Sequence, residues 1–308
     1  MPVPEKLTQA ARGFAMGSAD IVPGVSGGTV ALVLGIYERL IENIRVASSV
    51  AMSIVRRDGA EIKHRLGQVE WTWLIALGIG IIAAVLALSS VLDTLLTDHA
   101  EAMAGLFSGL ILGSVVISWR LVKKVTASEL AIMFVTAAGF FLLLGLRSDT
   151  ESTAEKIVTQ PLWAFFLAGA IAICAMILPG ISGSFLLVLM GMYAEVLGAV
   201  NDRNLLVLLV FVAGCVVGLA SFSSLLSWSL RTHHDKVMAA LIGLMLGSLR
   251  VLWPWPNGVS STRLEAPSGA PVVLPIVLFF VGLAVVVGTE VISVRLAARR
   301  DSPADASA

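Results

Sequence analysis

The sequence predicts an all-α integral membrane protein: an inverted repeat in which each half is a membrane hairpin with a Pro-Gly turn followed by three transmembrane helices. Three observations predict it. Hydrophobic residues make up 57% of the 308 and charged residues only 14%, whereas a soluble domain carries about 25% charge to keep its surface solvated. Uncharged runs long enough to cross a hydrocarbon core of roughly 30 Å recur along the chain. Two motifs also occur twice, in the same order. The formal net charge is zero, so no nucleic acid and no strongly acidic or basic partner is implied.

The first half, residues 1–150, begins without the apolar core of a cleaved leader, since Pro2, Pro4, Glu5 and Lys6 stand there. Its hairpin is expected over 12–44, because Asp20 and then Pro23-Gly24 interrupt the apolar run Gly13–Tyr37. Spans follow at 71–92, 102–119 and 129–147. The second half, 151–308, opens on an uncharged stretch of 38 residues from Ile157 to Ala194, with Pro179-Gly180 past its middle. As one helix this stretch would measure about 57 Å, so a second hairpin is expected over 160–198. Spans at 204–230, 236–253 and 271–293 complete the chain. If each hairpin returns to its side of entry, sixteen of the 21 Lys and Arg lie on the side of the termini, four on the other side, and Arg250 inside a span. That bias makes both termini cytoplasmic. Cys174 and Cys215 sit in apolar runs without metal spacing and read as small core residues. No cofactor or metal is expected.

The repeat rests on two alignments. Ala19-Asp-Ile-Val-Pro-Gly-Val-Ser-Gly-Gly-Thr, with Gly35-Ile-Tyr37, matches Ala175-Met-Ile-Leu-Pro-Gly-Ile-Ser-Gly-Ser-Phe, with Gly191-Met-Tyr193, at a constant offset of 156 (175 less 19). Gly109-Leu-Ile-Leu-Gly-Ser114 matches Gly243-Leu-Met-Leu-Gly-Ser248 at an offset of 134 (243 less 109). Three crossings per half invert the second half relative to the first, a recurring plan of secondary transporters. The ladder Gly105, Gly109, Gly113, and the pair Gly243 and Gly247, read as helix packing. The paired Pro-Gly-x-Ser-Gly turns read as a site, because broken backbone in lipid must be buried or line a polar cavity.

Helices are expected to start near Gly27 and Gly183. Ser26, Gly27, Gly28 and Thr29 in one half, with Ser182, Gly183 and Ser184 in the other, then offer amides and hydroxyls that suit a phosphate or carboxylate. Ser26 and Ser182 are expected to cap these helices as well. Arg250 either offsets the charge of a phosphate or snorkels to the external interface or pairs with a carboxylate. Asp20, Glu38, Glu195 and Glu290 are the candidates for coupling or gating. Asp20 would be a proton or cation site or would orient the turn, Glu290 lies near the cytoplasmic end of its span, and Glu38 and Glu195 lie at headgroup level. His64, His99, His233 and His234 have no partner at useful spacing and carry no expected chemistry.

At Gly17-Ser-Ala-Asp-Ile-Val-Pro-Gly-Val-Ser-Gly-Gly-Thr and Gly35-Ile-Tyr-Glu38, the chain resembles the bacterial and archaeal polyprenyl-phosphate transporters. Leu178-Pro-Gly-Ile-Ser-Gly-Ser184 and Gly243-Leu-Met-Leu-Gly-Ser-Leu-Arg250 resemble further marks of that family, so the likeness runs from about Ala10 to Arg295. The resemblance implies a flippase, not an enzyme, that returns undecaprenyl phosphate from the outer to the inner leaflet of the bacterial cytoplasmic membrane. The carrier lipid is thereby recycled for peptidoglycan and other envelope polymers. The implied partners are that lipid and the surrounding bilayer; homo-oligomerisation is left open. One alternative is a membrane-embedded polyprenyl pyrophosphate phosphatase, a family with a similar Pro-Gly-x-Ser turn followed by arginine. Here Gly27 and Gly183 stand in that place. An ion or small-anion secondary transporter is the other alternative.

Overall fold

The computed structural model describes residues 5–21, 26–55, 59–145, 160–256, 258, 263–268 and 272–300, and every regular element among them is helical. In chain order these are α1 (Glu5–Asp20), α2 (Gly27–Val33), α3 (Tyr37–Val55), α4 (Gly59–Gln68), α5 (Trp71–Asp98), α6 (Ala100–Trp119), α7 (Ala127–Gly145), α8 (Leu162–Ile177), α9 (Gly183–Leu189), α10 (Tyr193–Asn201), α11 (Leu205–Ser248) and α12 (Val273–Arg300). By length and composition α5, α6, α7 and α11 can each cross a membrane, while α8 and the Val273–Gly288 part of α12 are shorter apolar helices. Ile79 and Leu86 of α5, Phe134 and Leu142 of α7, Leu209 of α11 and Phe280 of α12 are all exposed. Such a surface suits lipid and is disfavoured in water.

Several boundaries differ from the sequence expectation. The spans expected at 204–230 and 236–253 are joined without a loop, because α11 runs 44 residues and is interrupted solely by non-helical backbone at His233, φ −135° and ψ 47°. At 1.5 Å per residue it would be about 66 Å long, twice a bilayer, so it divides into 205–232 and 234–248 at that residue. His99 does the same between α5 and α6, with φ −136° and ψ 44°. Helix α5 therefore continues to Asp98, beyond the expected end at Leu92. A further break follows α2 at Gly35 (φ +65°) and α9 at Gly191 (φ +66°), where left-handed backbone favours glycine. Arg250 lies past the cap residue Leu249 rather than inside a span. The polar stretch before Trp71 carries the end of α3 and α4.

Small residues decide the packing. Helix α1 lies on α5, where a Cβ on Gly13 would overlap the Leu77 carbonyl and one on Gly80 the Ala10 carbonyl. Helix α8 lies on 205–232 of α11, with Gly169 against Phe211 and Gly214 against Phe166. Gly105 and Gly109 of α6 abut Pro275 and Phe279 of α12, and Gly243 and Gly247 abut Met133 and Ala137 of α7. The glycine ladders are therefore packing surfaces, at which helix backbones touch without intervening side chains. Between these pairs lies the main buried cluster, which includes Tyr37, Ile41, Ile111, Leu241, Ile242 and Met245.

Candidate functional site

Two backbone breaks meet inside this core. Of the first, residues 22–25 lie outside the described residues, so the expectation for Pro23-Gly24 falls there. Its far side is described. Ser26 is extended, and its Oγ accepts a hydrogen bond from the Gly28 amide at 3.1 Å, capping α2 as expected. The Gly27 amide donates to Asp20 Oδ1 at 2.6 Å. Asp20 thus ties the end of α1 to the start of α2, the turn-orienting role among those expected for it. A side chain at position 27 would press on that carboxylate, with its Cβ 2.6 Å from Asp20 Oδ2.

The second break follows α8. Pro179 has no N–H and is fully buried, and Gly180 turns the chain at φ +82°, where a Cβ would stand 2.9 Å from the Met245 Cα. A helix ending here leaves its last carbonyls without intrahelical donors. Hydroxyls of the first half supply them. Ser26 Oγ lies 3.4 Å from the Met176 carbonyl oxygen and 3.5 Å from that of Leu178, and Tyr37 Oη donates to the Ile177 carbonyl at 3.1 Å. In return the Gly180 amide donates to Thr29 Oγ1 at 3.0 Å. Gly28 permits the approach, since a Cβ there would stand 2.9 Å from the Ile177 oxygen. The result is a polar seam of hydroxyls and bent backbone, buried in an apolar interior.

The second start differs from the first. Ser182 precedes α9 but makes no side-chain cap bond, contrary to the expectation that it caps. Where Asp20 lies under Gly27, Met176 lies under Gly183, its Cγ 2.6 Å from where a Cβ would be. Gly183 is buried at the head of α9. The side chain of Ser184 lies outside the described residues, as does that of Glu290.

The remaining candidates lie elsewhere. The Arg250 guanidinium stands over the Phe141 ring, 4.8 Å from its centroid, and against Gly145. It therefore belongs to the end of α7, not to the seam. Glu195 is half-buried in the first turn of α10. Glu38 Oε1 is 2.9 Å from His234 Nε2, and the other ring nitrogen of His234 is 3.0 Å from Asp235 Oδ1. His234 thus has partners that sequence spacing concealed, because Glu38 is 196 positions away. Asp235 also accepts the Lys123 and Lys124 amides, each at 3.0 Å. A second tie was equally hidden: Ser227 Oγ donates to Glu42 Oε2 at 2.7 Å, while Arg45 holds the same carboxylate from one turn away.

Three comparisons bear on this arrangement. Residues 16–268 match the family described as VCA0040-like, undecaprenyl phosphate translocase-like. A polyprenyl-phosphate transporter of Vibrio cholerae serotype O1 is 41% identical over 255 residues, covering 82% of this chain and 80% of that protein. A polyprenyl-phosphate transporter of Staphylococcus aureus is 30% identical over 254 residues, covering 79% of this chain and 84% of that protein. No solved structure matches.

Proposed function

From the premise that the chain belongs to the VCA0040-like, undecaprenyl phosphate translocase-like family, we propose that it returns undecaprenyl phosphate from the outer to the inner leaflet of the bacterial cytoplasmic membrane, by alternating access between two inverted halves. The observation that carries this reading is the seam. A phosphate stripped of water in hydrocarbon costs tens of kcal/mol, while its polyprenyl tail is at home there. A carrier therefore needs a polar interior reachable sideways from lipid. Bent backbone, with Ser26 and Thr29 buried beside it, supplies that interior.

The packing supports a repeat. Gly13 on Leu77 and Gly169 on Phe211 are the same contact displaced by 156 and 134 (169 less 13, 211 less 77). Gly109 on Phe279 and Gly243 on Met133 interchange α6 with the 234–248 part of α11, and α12 with α7, in the same way. In the proposed cycle the headgroup is received by Ser26, Gly27, Gly28 and Thr29 from one half and by Ser182, Gly183 and Ser184 from the other. Phosphate oxygens replace the bonds that these groups now make within the protein. Arg250 acts earlier, as a cation near the outer end of α7 that draws in a headgroup of charge about −1.5 to −2. Asp20 orients the turn.

The test is leaflet-resolved undecaprenyl phosphate in proteoliposomes holding the purified protein. Inward movement is expected, and it should fall at least about tenfold when Ser26 and Ser182 are both replaced by alanine. A folded Ser26→Ala/Ser182→Ala/Arg250→Ala protein that flips lipid at the parental rate excludes this headgroup site. Release of inorganic phosphate from added undecaprenyl pyrophosphate would point to the hydrolase instead.

A further inference from the structure

The two repeats are unequally closed. Helix α3 packs on α11, whereas α10, its counterpart, packs chiefly on its chain neighbours α9 and α11. Burial follows the same division. Tyr37 is 2% exposed and Ile41 1%, but their counterparts at the 156 offset, Tyr193 and Leu197, are 40% and 45% exposed. Space follows it too, since a Cβ on Gly198, the counterpart of Glu42, would meet nothing within 4 Å.

Chemistry accompanies the asymmetry. The closed side is tied at two points between the halves: Ser227 Oγ to Glu42 Oε2 at 2.7 Å, and His234 Nε2 to Glu38 Oε1 at 2.9 Å. Shifted by the two offsets, the first tie would fall on Asp93 and Gly198, and the second on Ala100 and Ala194. Neither pair can reproduce the bond.

We infer that Glu38, Glu42, Ser227 and His234 are gating residues, forming a latch that holds α3 against α11 and closes the side that carries the chain's excess of Lys and Arg. The opposite side, along α10, is open to a lipid headgroup in this conformation and closes by packing alone. The inference rests on the transport reading. Delivery of a headgroup to the latched side requires both ties to break and α3 to leave α11. The two ties involve none of the seam's hydroxyls, so the latch residues set which side is open and do not bind the phosphate.

Two experiments test this, both on the full-length chain with Cys174 and Cys215 replaced by alanine. In the first, Glu42→Cys and Ser227→Cys are joined by a short bis-thiol reagent and undecaprenyl phosphate movement is followed in proteoliposomes. Movement before linking and its loss after linking are expected; unchanged movement after linking overturns the latch. In the second, a thiol reagent added to the outside labels Leu197→Cys, with and without Ser227→Ala and His234→Gln. Freed of the latch, the protein should expose Leu197 less, and labelling should slow by at least about tenfold, the shift expected for losing even one of the two hydrogen bonds to a carboxylate. Equal labelling overturns the latch. A protein that labels as expected but moves no lipid in any form refutes the transport reading and leaves the latch standing.

Discussion

Thr29 answers the one amide that Pro179 and Gly180 leave facing the first half. Valine there keeps the shape and removes the acceptor, leaving a buried N–H without a partner at a cost of about 1–3 kcal/mol. Thr29→Val should therefore lower the melting temperature in detergent, while Thr29→Ser should restore most of it. Gly28→Ala attacks the same contact sterically, because its methyl would press on the Ile177 oxygen. That substitution should reduce lipid movement more than Thr29→Val does, since it forces the two breaks apart. At this scale the sequence was legible where chemistry and position coincided. Ser26 and Asp20 stood out as polar residues inside apolar runs, and each turned out to hold the start of α2. Glu42, Ser227 and His234 did not stand out, because their meaning lies in partners 185 and 196 positions away. Arg250 was legible as an intramembrane charge yet belongs to the aromatic face of Phe141, a contact no local pattern announces.

Among the elements, the tie between α3 and the start of α5 has a pH signature. The Arg39 guanidinium, then the Asn43 amide, pull the Glu70 carboxyl down from 4.5 to about 2. A depressed carboxylate stabilises the fold above its unfolded value and loses that contribution as pH falls through the window from about 4.5 to about 2. Arg39 and Glu70 are 40% and 43% exposed, so the pair contributes less than about 1 kcal/mol. Glu70→Gln should accordingly lower the melting temperature slightly at about pH 7, and the gap from the parent should shrink near pH 3. Hydropathy made the long helices α5, α6 and α7 readable, since each covers most of one expected span. It could not reveal the breaks at Gly35 and Gly191, because a left-handed glycine changes direction without changing polarity. Nor could it reveal turns as short as His99 and His233, where charges flanking the joint looked like a loop.

For the whole molecule, helix contacts repeat at fixed offsets while the sides around α3 and α10 do not match. The repeated contacts suit the proposed exchange of conformations, and the unequal sides suit one conformation being held. Exchanging the residue types of the two sides, with Glu42→Gly and Gly198→Glu, should shift external labelling of Leu197→Cys in the same direction as loss of the Ser227 tie. In the proposed cycle Tyr37 gives α3 a fulcrum. Its hydroxyl is pinned to the Ile177 carbonyl at 3.1 Å, and α3 extends from it for 19 residues, a lever of about 28 Å. Swinging that lever by about 10° would carry its far tip roughly 5 Å while the pivot barely stirs. A headgroup lodged near the pivot could thus trade one bath for the other without travelling far itself.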